Sequence, residues 1–367
     1  MTIEYKGVLL NNTRLNSVDS KNYIRLSDEP EENYIDFEYF PNIDEILDYS
    51  KFQIFILNNK YLNAENDFFQ IYDKGKDIRI GWILSISNLE SREESLIDNK
   101  HLNVYKLAAY HLLLQDNDRH IIIDHFDDDP KISDIYPKDS IFMVVSGSYL
   151  QNIDDFSINN YLPSLSKYGY YIQNSYSNNV EINSRKNFCL KFRGKNKIYL
   201  TISKFNIEEF RFINDLFSKH MKSIKHPLLR FHMLYQVVEF YMDYFFNKES
   251  ERIVNDFISN NGNRNDFIES ISEIKGEKPR IKKIISEVDD LKDKIDFDSV
   301  KLESDCKDFL YLHNKKTVGC LGELVYRVRN LVVHEYRSIH PSDINLFEDI
   351  ISEVELLIIN IIENQPL

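Results

Sequence analysis

Glycine and proline are scarce, at 10 and 9 among 367 residues. Such a chain has little material for long flexible linkers, and it contains no glycine-rich phosphate loop. Cysteine is scarcer still: Cys189, Cys306 and Cys320 stand at wide, irregular intervals. That spacing fits no zinc pattern and three thiols cannot all pair, so buried thiols in a reducing compartment are expected. No internal repeat is visible. Long apolar runs are also missing; the longest, 354–362, is interrupted by Glu355 and Asn360 and is far too short to span a bilayer. The first residues, Met1-Thr-Ile-Glu-Tyr, carry no basic segment ahead of an apolar core. No signal peptide and no membrane partner are expected, and the chain is expected to be cytoplasmic. Finally, positive charge is in deficit: 45 Lys and Arg face 59 Asp and Glu, a net charge of −14. This excludes a protein that coats nucleic acid by bulk attraction, while leaving room for a small local basic site.

What is present suits ordinary globular cores. The apolar fraction is 43%, with 23 Tyr and 24 Phe, and the length predicts two domains. The expected fold class is α+β. Residues 1–204 read as a mixed, β-rich domain, with strands at 34–40, 52–57, 77–85, 121–125 and 140–145 and a helix over 104–114. A hairpin is expected between 187–192 and 197–202, with Gly194-Lys-Asn as its turn. From residue 205 the periodicity becomes helical, so 205–367 reads as a helical bundle. Its clearest helix covers 227–246. Shorter ones are expected at 253–258, 267–274 and 281–291, with breaks at Asn260-Asn-Gly-Asn and Lys275-Gly-Glu-Lys-Pro279. A last helix, announced by Pro341-Ser342-Asp343, should bury Phe347, Ile350, Ile351, Val354, Leu357, Ile358 and Ile361.

The stretch Tyr326-Arg-Val-Arg329-Asn330-Leu-Val-Val-His334-Glu-Tyr336 carries chemistry. Arg329 supplies a planar, permanently charged fork that matches phosphate oxygens. His334 supplies a group that accepts and returns a proton near neutral pH. Asn330 can orient either one. Five residues correspond to about 140° around an ideal helix, so Arg329 and His334 do not stack on one stripe of a straight helix. Either the helix loosens near His334, or the groups converge with those of a second subunit.

The order Arg-polar-x-x-x-His, within the string from Gly322 to His334, resembles the signature of the HEPN superfamily, all-helical domains often found as metal-independent ribonucleases. The resemblance covers residues 205–367. It implies an endoribonuclease with Arg329, Asn330 and His334 as catalytic residues, no metal and no cofactor, and a homodimer in which two copies of the motif face one cleft. It implies RNA as partner, transfer RNA or messenger RNA, cut by 2′-hydroxyl attack. The setting it implies is toxin-like abortive infection in antiphage defence. Arg-x4-His-x-Tyr, ending at Tyr336, resembles a subgroup of HEPN toxins in which a partner nucleotidyltransferase modifies the tyrosine. That subgroup consists of short chains, and the long N-terminal region here departs from it. Control by residues 1–204, as a sensor for a phage-derived trigger or an inhibitory partner, is therefore expected instead.

Tyr336, Lys315 and Lys316 are expected to contact substrate or to serve regulation. Two more basic clusters, Lys275 to Lys283 and Lys219 to Lys225, are further contact candidates. The run Asp124-His125-Phe-Asp127-Asp128-Asp129 has hard-metal residue types but reads as a solvated acidic turn before Pro130. Ser146-Gly-Ser148 lacks the form of a nucleophile elbow. His220, His226 and His232 are spaced wrongly for ligands on one helix face. The competing reading is a noncatalytic HEPN dimerisation or adaptor module, in which Arg329 and His334 make interface contacts.

Overall fold

A computed structural model describes residues 2–5, 8–10, 14–18, 23–27, 33–38, 47–59, 68–91, 100–115, 120–123, 130–146, 157–173, 196–259, 263–289 and 298–365. They divide into a β-rich unit, Met1–Ile158 with Tyr168–Thr201, and a helical unit, Asn159–Lys167 with Ile202–Leu367. The architecture is α+β. The segment Asn159–Lys167 falls within the residues that sequence assigns to the first domain but packs with the helices: Ser203 N–H donates to the Asn160 carbonyl at 2.9 Å, and Lys167 pairs with Glu363.

In the β-rich unit the strands are β1 (Thr2–Tyr5), β2 (Val8–Leu10), β3 (Arg14–Val18), β4 (Tyr23–Ser27), β5 (Tyr34–Glu38), β6 (Phe52–Asn59), β7 (Phe68–Asp73), β8 (Ile78–Ser85), β9 (His120–Ile123), β10 (Ile141–Ser146), β11 (Tyr170–Ile172) and β12 (Lys197–Leu200). The largest sheet runs β11-β6-β10-β8-β7-β12; β2-β1-β9 and β3-β4-β5 form smaller ones. The central strands β8 and β10 are apolar almost throughout and buried along nearly their whole length, as strands covered on both faces must be. Helix α1 (Lys100–Leu114) covers β6, β8 and β10 and buries Leu102, Leu107, Ala108 and Leu114 among others. Its core includes Trp82, fully buried, with the Phe68 ring 5.1 Å away.

Of the expected hairpin only the second strand, β12, lies among the described residues. Strand β12 pairs parallel with β7, Lys197 opposite Gln70 and Leu200 opposite Asp73. Its supposed partner, 187–192, lies outside the described residues, as does the acidic run 124–129.

Gly81 in β8 permits close backbone passage. A Cβ at this position would stand 2.1 Å from the carbonyl oxygen of Val144 in β10. Gly81→Ala therefore has to push two buried strands apart, and is expected to destabilise the β-rich unit by about 3 kcal/mol. Denaturant unfolding followed by Trp82 fluorescence checks this directly, because Trp82 is the chain's one tryptophan.

The helical unit contains α2 (Pro227–Ser259), α3 (Arg264–Lys275), α4 (Glu277–Asp289), α5 (Ser299–Leu312), α6 (Leu321–Glu335) and α7 (Ile344–Asn364). Pro227 opens α2 where its missing N–H costs nothing. Helix α2 runs unbroken through residues that read as a gap before 253–258. Arg252 holds it together across that polar stretch, with Nε 2.9 Å from Glu249 Oε1 and Nη1 3.0 Å from Asp256 Oδ2. Helix α5 has no counterpart in the sequence reading. It starts on Asp298, whose side chain accepts from Lys301 N–H at 3.0 Å, and it buries Leu302, Cys306, Phe309 and Leu310.

All seven apolar residues expected of the last helix are buried in α7. Three carboxylates of α7 are buried as well, each held by a cation from a different element. Arg230 of α2 donates through Nε and Nη2 to Glu355 Oε2, at 3.2 and 2.5 Å. Lys167 Nζ is 3.2 Å from Glu363 Oε2, and Lys301 Nζ is 2.9 Å from Glu353 Oε1. A helix buried on its polar side too is the central rod of a bundle.

Candidate functional site

Helix α6 positions the motif. Leu321, Leu324, Val325, Val328, Leu331 and Val332 form its buried face. Glu323, Arg327, Asn330 and His334 recur every three or four residues on the opposite side, a polar stripe on the helix surface. Helix α5 ends in a Schellman motif: Lys315 N–H donates to the Leu310 carbonyl at 2.9 Å and Asn314 N–H to Tyr311 at 3.0 Å. Asn314 takes the left-handed conformation this requires, with φ 55°. The turn delivers Lys315 and Lys316 beside the stripe. Arg327 then pins the connection, donating from Nη1 to the Val318 carbonyl at 2.7 Å.

Arg329, Asn330, His334, Lys315 and Lys316 all line one open cleft of about 500 Å³, together with Glu277, Tyr326, Arg327, Leu331 and Glu335. The helix does not loosen: α6 remains α-helical through His334 to Glu335. Arg329 and His334 both line the cleft despite the 140° offset. Arg329 Nη1 donates to Asn330 Oδ1 at 3.1 Å, which draws the guanidinium toward the stripe. Its other terminal nitrogen, Nη2, is 3.0 Å from Glu239 Oε1 on α2. The Tyr235 ring, one turn earlier on α2, lies 5.5 Å from Cζ. Burial pushes the Tyr235 phenol well above its ordinary value. Three neighbours thus hold the fork.

His334 is exposed and makes no hydrogen bond or ion pair among the described residues. Lys315 Nζ is 2.7 Å from Glu335 Oε1, whereas Lys316 is exposed and carries no ion pair among the described residues. Tyr336 does not line the cleft. It sits in the 3-10 turn Tyr336–Ser338, with its ring 5.9 Å from that of His226. Of the further basic contact candidates, Lys219 pairs with Asp215; His232, not expected to be a ligand, contacts Gln236, and Ser146, not expected to be a nucleophile, closes β10. Among the described residues no group of His, Cys, Asp and Glu is placed to hold a metal ion.

Sequence reasoning missed Tyr326, Arg327, Glu239 and Glu277. Tyr326 and Arg327 stand one turn before Asn330, a spacing that was readable; Glu239 lies 90 positions from Arg329, and no local pattern points to it.

The balance of charge favours an anion. Lys315, Lys316, Arg327 and Arg329 outnumber Glu277 and Glu335 in the lining, within a chain of net charge −14. The Arg329–Glu239 pair is 22% and 39% exposed at its two side chains. A pair so placed contributes about 1 kcal/mol or less, so a phosphodiester oxygen can compete with the carboxylate for the guanidinium. Comparison with family models, with curated proteins and with solved structures finds no match to this chain. Among the described residues no helix is long and apolar enough to cross a membrane.

Proposed function

We propose that the chain is a HEPN-type, metal-independent endoribonuclease that cuts transfer or messenger RNA, acting as a homodimer in the cytoplasm in antiphage abortive infection. The observation that carries this reading is the convergence of Arg329, Asn330 and His334 on one open cleft beside Lys315 and Lys316. The chemistry follows from the residue types. An imidazole takes the proton of a 2′-hydroxyl, and that oxygen bonds to the adjacent phosphorus. The bond from phosphorus to the 5′-oxygen breaks, and a second imidazole, His334 of the other subunit, protonates the leaving oxygen. Arg329 stabilises the charge that builds on the phosphorus oxygens. Asn330 holds the guanidinium with Oδ1 and keeps its amide nitrogen for the phosphate. Exposed single-stranded loops, such as an anticodon loop, present phosphates that fit an open cleft. In this reading residues 1–204 restrain the nuclease until a trigger or partner binds.

The test is product chemistry. Full-length protein incubated with RNA in excess EDTA is expected to yield 2′,3′-cyclic phosphate and 5′-hydroxyl ends. Cleavage that stops on chelation, or ends bearing a free 3′-hydroxyl, overturns the proposal.

The Arg329–Glu239 ion pair favours a second reading, a noncatalytic dimerisation or adaptor module. An arginine kept for structure makes the same contact. Under that reading no RNA is cut, and expression of the chain is not toxic.

A further inference from the structure

Gly322 lets helix α4 lie close against α6: a Cβ there would stand 2.9 Å from the Lys282 Cα and 3.1 Å from the Ile281 carbonyl oxygen. The approach sets two exposed lysines of α4, Lys278 and Lys282, one turn apart and alongside the polar stripe of α6. Lys278 Nζ is 3.2 Å from Glu323 Oε1, and Arg327 Nη2 is 3.1 Å from Oε2 of the same carboxylate. Lys278 foremost, then Arg327 and Lys282, hold the Glu323 carboxyl below the usual carboxylate range. One acid therefore faces three cations. Arg327 also lines the cleft with Tyr326 and Lys316. Positive charge accordingly continues out of the cleft along the α4–α6 seam: Lys316, Arg327, Lys278 and Lys282 stand against Glu323 and Glu277. At 1.5 Å per residue, about 16 Å of helix axis separate His334 from Glu323, more than one phosphodiester link covers.

We propose that the cleft is one end of a groove for single-stranded polynucleotide, whose strand runs from His334 past Tyr326 and Arg327 to Lys278 and Lys282. The inference rests on the nuclease reading of the cleft and adds the direction and footprint of the strand. Tyr326 stands one turn before Asn330, and its ring contacts no other described aromatic ring. A base stacks on it while the backbone lies on the cations, the usual division of labour in single-strand grooves. An acidic peptide matches the cations but leaves the ring without a partner.

The experiment measures binding of 2′-O-methyl oligoribonucleotides, which cannot be cut through the 2′-oxygen, to the full chain over a range of salt concentrations. Each phosphate contact on a single strand contributes about −0.7 to the slope of log K against log salt. Lys278→Ala/Lys282→Ala is therefore expected to flatten the slope for a dodecamer by about 1.4 and to leave a trinucleotide's slope unchanged. Lys278→Arg/Lys282→Arg is expected to keep the wild-type slope, which separates lost charge from lost structure. An unchanged dodecamer slope in the alanine variant overturns the groove, as does displacement of the dodecamer by polyglutamate of equal charge. Failure of the nuclease reading looks different: the dodecamer then binds with the lysine-dependent slope, which supports the groove, yet unmodified RNA is never cut.

Discussion

Replacing His334 by alanine is expected to lower the rate of RNA cleavage by about 10²–10⁴-fold, the usual contribution of a general acid–base group. The same substitution should leave the melting temperature nearly unchanged. His334 is exposed on the last turn of α6 and makes no hydrogen bond or ion pair among the described residues, and changes at such positions stay within about 0.5 kcal/mol. Arg329→Ala is expected to cost about 10²–10³-fold, as loss of a preorganised donor to a charged transition state does. Its stability cost should be about 1 kcal/mol or less, the worth of a half-exposed pair with Glu239. Cleavage of a fluorescent oligoribonucleotide, with thermal melts on the same samples, reads both quantities. The combination separates the two readings of the motif. A structural arginine and histidine lose stability or dimerisation when removed; a catalytic pair loses rate alone. Wild-type cleavage by His334→Ala would end the nuclease reading.

The second large effect concerns stability. Arg230→Ala is expected to destabilise the helical unit by about 3–5 kcal/mol, because it strands a buried carboxylate. Arg230 and Glu355 are 1% and 3% exposed, so water cannot take over the lost contacts. Arg230 Nη1 also donates to the Met221 carbonyl at 2.8 Å, at the end of the π-helical turn Leu216–His220, and that bond is lost too. Arg230→Leu combined with Glu355→Leu removes the charges together and is expected to be far milder than the single change. Denaturant titration followed by far-ultraviolet circular dichroism gives the comparison. A single variant within about 1 kcal/mol of wild type, or a double variant as unstable as the single, would contradict the account of this pair.

Much of the helical unit is legible because its signals are local. The stripe in 347–361 and the start at Pro341-Ser342-Asp343 foretell α7 from spacing alone, and the structure buries that stripe. Where sequence reading split α2, it took a run of charged residues for a break; i,i+3 and i,i+4 ion pairs around Arg252 make the same run helical. Strand pairing is less legible. Strand β12 falls within a segment expected to be a strand, but β7 is not among the expected strands, and their parallel partnership joins distant parts of the chain that no local pattern links. The motif behaves in the same way. Arg329, Asn330 and His334 are conspicuous in one line of text, yet the distance between Arg329 and His334 around the helix argued against a shared cleft within one subunit. Tyr235 and Glu239, which flank the guanidinium from another helix, leave no mark near residue 329. Tyr336, attractive as part of a longer string, packs instead beside His226 just ahead of α2.

The acids of α7 act as a key cut at three depths. Each fits a cation from a separate element: Glu353 with Lys301 of α5, Glu355 with Arg230 of α2, and Glu363 with Lys167 of the 159–167 segment. Sliding the rod by a single turn would unseat every tooth at once, so these elements travel as one block. The connection 313–320, tied over the cleft by the Lys315–Glu335 pair and by Arg327 on the Lys316 and Val318 carbonyls, stands outside that block.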